Sequence, residues 1–252
     1  MRPHDADAFG RALLDWARGG TDPEIIERDD GVVDTGAGHE VYLADVHHWP
    51  TAERRALKLA RGRVLDAGCG AGRVALQLQE RGHDVVGVDA SPLAVRAARL
   101  RGVGEVWCSP LEHLDGEVGA FDTIVLFGNN FGIRGTPART RRLLGAWARQ
   151  ARPGARILAE STNPYCGGAP AIDRAYYRRN VARGRMPGQV RVRTVYQRWA
   201  TPWFDWLFVS RRDMRRLLQG TGWRQVRVLG TTPVEPYVAV LERDGSVPLT
   251  RR

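Results

Sequence analysis

The sequence predicts an α/β protein built on a mostly parallel sheet. Three observations carry this. Apolar stretches alternate with helical segments between residues 63 and 160. The first stretch runs into a glycine-rich turn. After Glu160 the rhythm stops and period-two patterning takes over. In chain order, residues 5–18 set Phe9, Leu13, Leu14 and Trp16 among charges, the spacing of an amphipathic helix. Residues 19–50 read as irregular, and Thr51 as the cap of a helix running to about Ala60. Strands are expected at 63–67, 84–88, 104–108, 121–127 and 155–160. Helices at 72–81, 92–101 and 137–151 join them by right-handed crossovers. Farther on, 189–199 alternates and 203–209 is rich in strand formers, with Ala200-Thr201-Pro202 suited to a turn between them. This predicts an inserted antiparallel element covering one end of the sheet. Ser210 to Asp213 is a capping box for a helix over 211–219, which Gly220 and Gly222 end. Strands near 223–229 and 236–242 finish the sheet. The expected organisation is a helix and lid segment over 1–50, a main domain over 51–242 with the insertion at 162–208, and a tail over 243–252.

Composition narrows the function classes. The 252 residues are 43% hydrophobic and 26% charged, ordinary globular usage. No apolar run approaches the roughly 18 residues of a spanning helix, so no membrane partner is expected. Acids stand in the N-terminal stretch where a signal peptide would be apolar, which predicts a cytoplasmic chain. Cys69, Cys108 and Cys166 are too scattered for a disulfide framework or a zinc site, and no metal is expected. The net charge of +10 is uneven. All basic residues but Lys58 are arginine, and residues 131–227 hold 21 of them against Glu160, Asp173, Asp205 and Asp213. Such a segment could meet an anionic partner, nucleic acid included, although solvated helix surface is the plainer account of much of it.

The chemistry is concentrated at Val64-Leu65-Asp66-Ala67-Gly68-Cys69-Gly70-Ala71-Gly72-Arg73. A strand delivers Asp66, and glycines at 68, 70 and 72 let the backbone bend tightly against a ligand. Arg73 stands where a dinucleotide fingerprint needs its last glycine, and no Walker lysine is present. The pattern Asp-x-Gly-x-Gly-x-Gly after a strand resembles the first motif of class I S-adenosylmethionine-dependent methyltransferases. The next strand ends in Asp89, Ala90, Ser91 and Pro92. A carboxylate there can accept from both ribose hydroxyls, while Ser91 caps the following helix.

The resemblance implies a three-layer sandwich whose seven strands lie in the order 3-2-1-4-5-7-6, the last antiparallel. S-adenosylmethionine would be the cofactor and S-adenosylhomocysteine its product. Cofactor contacts fall on Asp66, Gly68, Cys69, Gly70, Gly72, Asp89 and Ala90. After strand three, Pro110 replaces the acid that relatives often carry, so the adenine contact is open to Ser109, to the backbone around Leu111 or, as the weaker candidate, to Glu112. Gly128 and Asn129 follow strand four, where the family places the sulfonium methyl. Asn130, His47 and His48 are the candidates for a catalytic group. Trp49, Asn130, Phe131, Tyr165, Trp203 and Phe204 are candidates to line an acceptor site. Asn163-Pro164-Tyr165 follows strand five, so the amino-group signature it resembles is not carried over. The expected reaction is methyl transfer to a small organic or short-peptide acceptor. RNA methylation through the basic region and cofactor binding without catalysis stay open, as does the oligomeric state. If charge serves function, the arginines from 174 to 198 would bind an acidic group on the acceptor.

Overall fold

A computed structural model describes residues 6–114, 116–165, 170–230 and 235–244. Cys166 and the tail beyond residue 244 lie outside these. The elements begin with α1 (Ala8–Trp16), β1 (Ile25–Arg28), β2 (Val33–Thr35), α2 (His39–Tyr42) and α3 (Thr51–Leu57). The alternating section follows as β3 (Val64–Ala67), α4 (Arg73–Glu80), β4 (Val85–Asp89), α5 (Pro92–Leu100), β5 (Glu105–Cys108), β6 (Thr123–Leu126), α6 (Pro137–Gln150) and β7 (Arg156–Ser161). Then come α7 (Ala171–Ala182), β8 (Gln189–Tyr196), β9 (Trp199–Ala200), β10 (Phe204–Leu207), α8 (Arg211–Leu218), β11 (Trp223–Leu229) and β12 (Tyr237–Arg243).

The main sheet has seven strands in the order β11-β12-β7-β6-β3-β4-β5, which is the order the resemblance implies. β4 and β5 pair in parallel, as do β6 and β7, whereas β12 is antiparallel to both β7 and β11. β3 and β6 are buried along their whole length, which is why Val-Leu-Asp-Ala and Thr-Ile-Val-Leu read as continuous runs.

The chain forms two compact units. The first comprises Met1–Trp49, Leu65–His113 and Arg191–Phe204. The second comprises Pro50–Val64, Leu114–Val190 and Asp205–Arg252.

In the first unit α1 buries Ala8, Ala12, Leu13, Leu14 and Trp16 against Ala94 and Ala97 of α5 and against Tyr196. The Trp16 ring stacks on Tyr42 at 5.9 Å and meets Tyr196 edge-on at 6.2 Å, while its N–H donates to Asp22 O at 2.8 Å. Residues 19–50 are not irregular as expected. β1 pairs with β2 and with β8, and the second sheet runs β10-β8-β1-β2 with β9 on β8. β2 is exposed at all three residues and β1 half-buried, so neither shows the alternation that marks a strand in sequence. The buried Glu24 carboxylate accepts from Gly38 N–H at 3.2 Å and holds this segment in shape. The turn expected at 200–202 lies instead at Gln197 and Arg198, where Gln197 adopts φ 53°. Thr201 stays in register, its hydroxyl accepting from Thr194 N–H at 2.9 Å.

In the second unit Pro50, not Thr51, occupies the cap position of α3, and the helix stops at Leu57. The capping box of α8 forms, with Ser210 Oγ accepting from Asp213 N–H at 3.1 Å. α7 was not expected. It buries only Tyr176 and Asn180, and its arginines and tyrosines leave no apolar stripe to detect.

Candidate cofactor and acceptor site

In the first unit the glycine run is a cradle. Gly68, Gly70 and Gly72 adopt φ of 79°, 54° and 81°, the left-handed region that L side chains rarely enter. Gly68 and Cys69 both donate their N–H to Val88 O, at 2.8 and 2.9 Å, which pins the loop to the end of β4. Asp66 lies beneath, buried, and accepts from Ala75 N–H at 3.1 Å, fixing the first turn of α4. It therefore braces the loop from below. Cys69 is also buried, its Sγ 3.0 Å from where a Cβ on Gly87 would stand. Burial, then the carboxylates of Asp66 and Asp89, push its thiol well above the usual range. Alkylation at pH 8 followed by peptide mapping is expected to label exposed Cys108 well before Cys69.

Asp89 closes β4. One carboxylate oxygen accepts from Gly70 N–H and the other from Ser91 N–H, each at 2.9 Å. Burial raises its pKa, opposed by these amides. The carboxylate is thus fixed in orientation while the Gly70 backbone stays open, a hypothetical Cβ there meeting only Leu13 Cδ1 at 3.5 Å. These residues fit a ribose with its two hydroxyls on Asp89 and the rest of the cofactor along the glycine turn. Ala90 is exposed beside it. Leu111 is buried on a single 3₁₀ turn after β5 and Glu112 exposed on the same turn.

Sequence reasoning missed Asp7 here. Its Oδ1 caps α1 by accepting from Gly10 N–H at 3.1 Å, and its Oδ2 accepts the Ser91 hydroxyl at 2.6 Å. The cap of α5 and the cap of α1 are thereby tied together beside Asp89. Asp7→Ala is expected to lower stability by roughly 1–2 kcal/mol in chemical denaturation, the usual cost of a lost cap. Arg101 makes a second tie, donating to Ala71 O at 2.9 Å and to Leu43 O at 3.4 Å. His47 and His48 are exposed on a 3₁₀ turn. Trp49 after them is 3% exposed, its N–H on Ala44 O at 2.8 Å and the Arg73 guanidinium over its ring at 4.2 Å. Trp203 and Phe204 are partly exposed, and Arg193 lies over the Trp203 ring at 5.0 Å. Arg193 also pairs with Glu27 at 2.6 Å, so its charge already has a counter-ion within the second sheet.

In the second unit the loop after β6 is built around a buried carboxylate that sequence reasoning also missed. Gly128 N–H donates to Glu160 Oε2 at 2.6 Å, and Glu160 is 3% exposed at the end of β7. Asn129 stands at φ 62°, a conformation asparagine tolerates. Its Oδ1 accepts from the Thr162 hydroxyl at 2.8 Å and its carbonyl from Trp206 Nε1 at 3.2 Å. The only sequence signal for Glu160 is a lone acid closing a buried apolar strand. Asn130 is 9% exposed and Phe131 2%, so Phe131 packs inward, whereas Tyr165 is 56% exposed. Among the described residues no group of three or more His, Cys, Asp or Glu comes together as a metal site, and no helix is long and apolar enough to cross a membrane.

The strand order and the cradle define a class of protein: an α/β chain that binds a nucleoside at the ends of its first parallel strands. Comparison with known proteins specifies it. Residues 64–154 match the family described as a methyltransferase domain. The chain is similar to an S-adenosylmethionine-dependent methyltransferase from Bacteroides fragilis solved with S-adenosyl-L-homocysteine. The TM-score is 0.78 at 26% identity, over 99% of this chain and 98% of that one. It is also similar to a structure solved for the conversion of a disulfide bond into a thioacetal group during echinomycin biosynthesis, with a TM-score of 0.51 at 26% identity, over 76% of this chain and 80% of that one. Over 70 residues it is 43% identical to 2-heptyl-1-hydroxyquinolin-4(1H)-one methyltransferase of Mycobacteroides abscessus, covering 25% of this chain and 31% of that relative's length. Residues 64–154 are thus a methyltransferase domain, and the chain has the fold of an S-adenosylmethionine-dependent methyltransferase.

Proposed function

We propose that the chain moves a methyl group from S-adenosylmethionine to a small organic acceptor. The observation that carries this is Asp89, its carboxylate fixed between the Gly70 and Ser91 amides at the end of the second parallel strand. When bound, the cofactor supplies a methyl on a sulfonium with a good leaving group. The chain's own task is positioning. Asp89 and the glycine turn hold the nucleoside, and Asp66 and Asp7 hold that turn and the start of α5 in place. Glu160 and Thr162 fix the backbone and amide of Gly128 and Asn129, where the family places the methyl. Holding donor and acceptor in line is worth several kcal/mol without a general base. A base is needed only for a hydroxyl or protonated-amine acceptor, and His47, His48 and Asn130 remain the candidates to contact one.

A small acceptor is supported by two relatives, a 2-heptyl-1-hydroxyquinolin-4(1H)-one methyltransferase and a structure from echinomycin biosynthesis. Of the 21 arginines between 131 and 227, Arg141, Arg156 and Arg211 are held on the carbonyls of Leu217, Leu59 and Gly230, and Arg185 lies 3.8 Å from the Asp205 carboxylate, which gives these four a place within the fold without an RNA partner. The test is release of S-adenosylhomocysteine from labelled cofactor, with hydroxylated and nitrogen heteroaromatics in one arm and total RNA in the other. Turnover with heteroaromatics alone is the expected result. Turnover with RNA alone would overturn the small-acceptor reading. Tight cofactor binding without transfer to either would overturn catalysis.

A further inference from the structure

α7 buries Tyr176 and Asn180, and the Asn180 amide donates to Pro187 O and Gln189 O at 2.8 Å each. These bonds fix the helix against the start of β8. The adjoining face carries Arg174, Tyr177, Arg178 and Val181, spaced at three and four residues so that they share one side. With Tyr165 and Pro187 they line a cavity of about 390 Å³ within the second unit. That volume is in the range of small-molecule sites, roughly 300–1,000 Å³. The cavity leaves apolar surface in water, Tyr165 being 56% and Val181 58% exposed. Two arginines and two tyrosines line it, and none of its described lining residues is acidic. The acid that reaches Tyr165 is Asp213, which already accepts the Ser210 hydroxyl at 2.7 Å and has Arg216 at 3.7 Å. Arg212 and Arg216 also act on Tyr165, opposing Asp213.

We propose that this cavity binds a planar aromatic molecule bearing a carboxylate, with its ring against Tyr165 and Tyr177 and its carboxylate on Arg174 and Arg178. Aromatic walls hold a flat ring, and a planar guanidinium fits a carboxylate through paired hydrogen bonds. Both lining guanidiniums are cationic donors, so a carboxylate suits them better than a neutral or cationic group does. The anion site falls on the α7 arginines of the 174–198 stretch, whereas Arg193 on β8 is paired with Glu27. Naming this ligand the methyl acceptor rests on the function proposed above; the binding itself does not.

The test measures affinity for 2-naphthoate and for its neutral amide, 2-naphthamide, by titration calorimetry with the full chain. S-adenosylhomocysteine is titrated in parallel. The wild type is expected to prefer the carboxylate by about tenfold, with the preference shrinking as salt is added. In the double variant Arg174→Gln/Arg178→Gln the preference should vanish while amide affinity stays within about twofold. Arg174→Lys/Arg178→Lys should recover part of it, since lysine keeps the charge but not the paired geometry. Equal affinities for acid and amide in the wild type would overturn the proposal, whether or not any variant folds. So would an undiminished preference in the glutamine double variant. Failure of the wild type to bind S-adenosylhomocysteine would instead overturn the methyl-transfer reading and leave the cavity result standing.

Discussion

Replacing Asp89 with alanine is expected to weaken S-adenosylhomocysteine binding by about a hundredfold, measured by titration calorimetry. A charge-assisted hydrogen bond contributes roughly 1.5–3 kcal/mol, and about 2.7 kcal/mol is a hundredfold. The loss has two sources. The ribose hydroxyls lose their acceptor, and the Gly70 and Ser91 amides lose the group that orders the turn. Asp89→Asn should be intermediate, because its amide oxygen can still accept from one backbone N–H while its NH₂ faces the other. Acidification offers the same experiment without mutation. Burial raises the Asp89 pKa above the ordinary 3.8, and the ionised form is the acceptor. Affinity is therefore present above that raised pKa and lost as pH falls through it, at a higher pH than an exposed aspartate would give. An unchanged affinity in Asp89→Ala would remove the basis of the cofactor assignment.

The second large effect is on stability. Gly72→Ala places a Cβ 2.3 Å from Val103 Cγ2 at a residue with φ +81°, so strain and overlap act together. A left-handed L residue costs roughly 1–2 kcal/mol and overpacking roughly 1–3 kcal/mol. A loss of about 3 kcal/mol in urea denaturation is expected. Gly82→Ala is the internal control, because Gly82 shares φ +81° but a Cβ there meets nothing within 4 Å. It should lose only the conformational part, about 1 kcal/mol. Equal losses at the two positions would mean that Val103 yields and that the turn is not tightly packed against α5 and the strand after it.

These two positions also mark what could be read from sequence. The parallel strands were legible because each is a short apolar run bounded by glycine or a capping residue, as with Val64–Ala67 before the glycine turn. Ser91-Pro92 and Ser210 announced their helices because a hydroxyl before the first turn has one dominant use, and both accept the N–H three residues on. The second sheet was not legible. Ile25–Arg28 holds two isoleucines and two charges, and its partner lies far along the chain. α7 escaped because its anchors are a tyrosine and an asparagine, not an apolar stripe. At the site, Asp89 stood out because its strand end and glycine turn are local. Asp7 and Glu160 did not, because their partners Ser91 and Gly128 are 84 and 32 residues away.

The pairing of Ile25–Arg28 with Val192–Val195 has a consequence for how the chain acquires its structure. During synthesis the N-terminal strand emerges early and has only exposed β2 to pair with until residues beyond 195 follow. At about 5–20 residues per second that interval lasts on the order of ten seconds or more. A strand left waiting with two isoleucines and an open edge invites association with other chains. Closing so long a loop also carries an entropic cost that must be met before the pairing stabilises anything. The slowest folding phase should therefore be docking of residues 25–35 onto β8, after the parallel sheet has formed. Yield on expression should depend more on temperature and protein concentration than final stability would indicate.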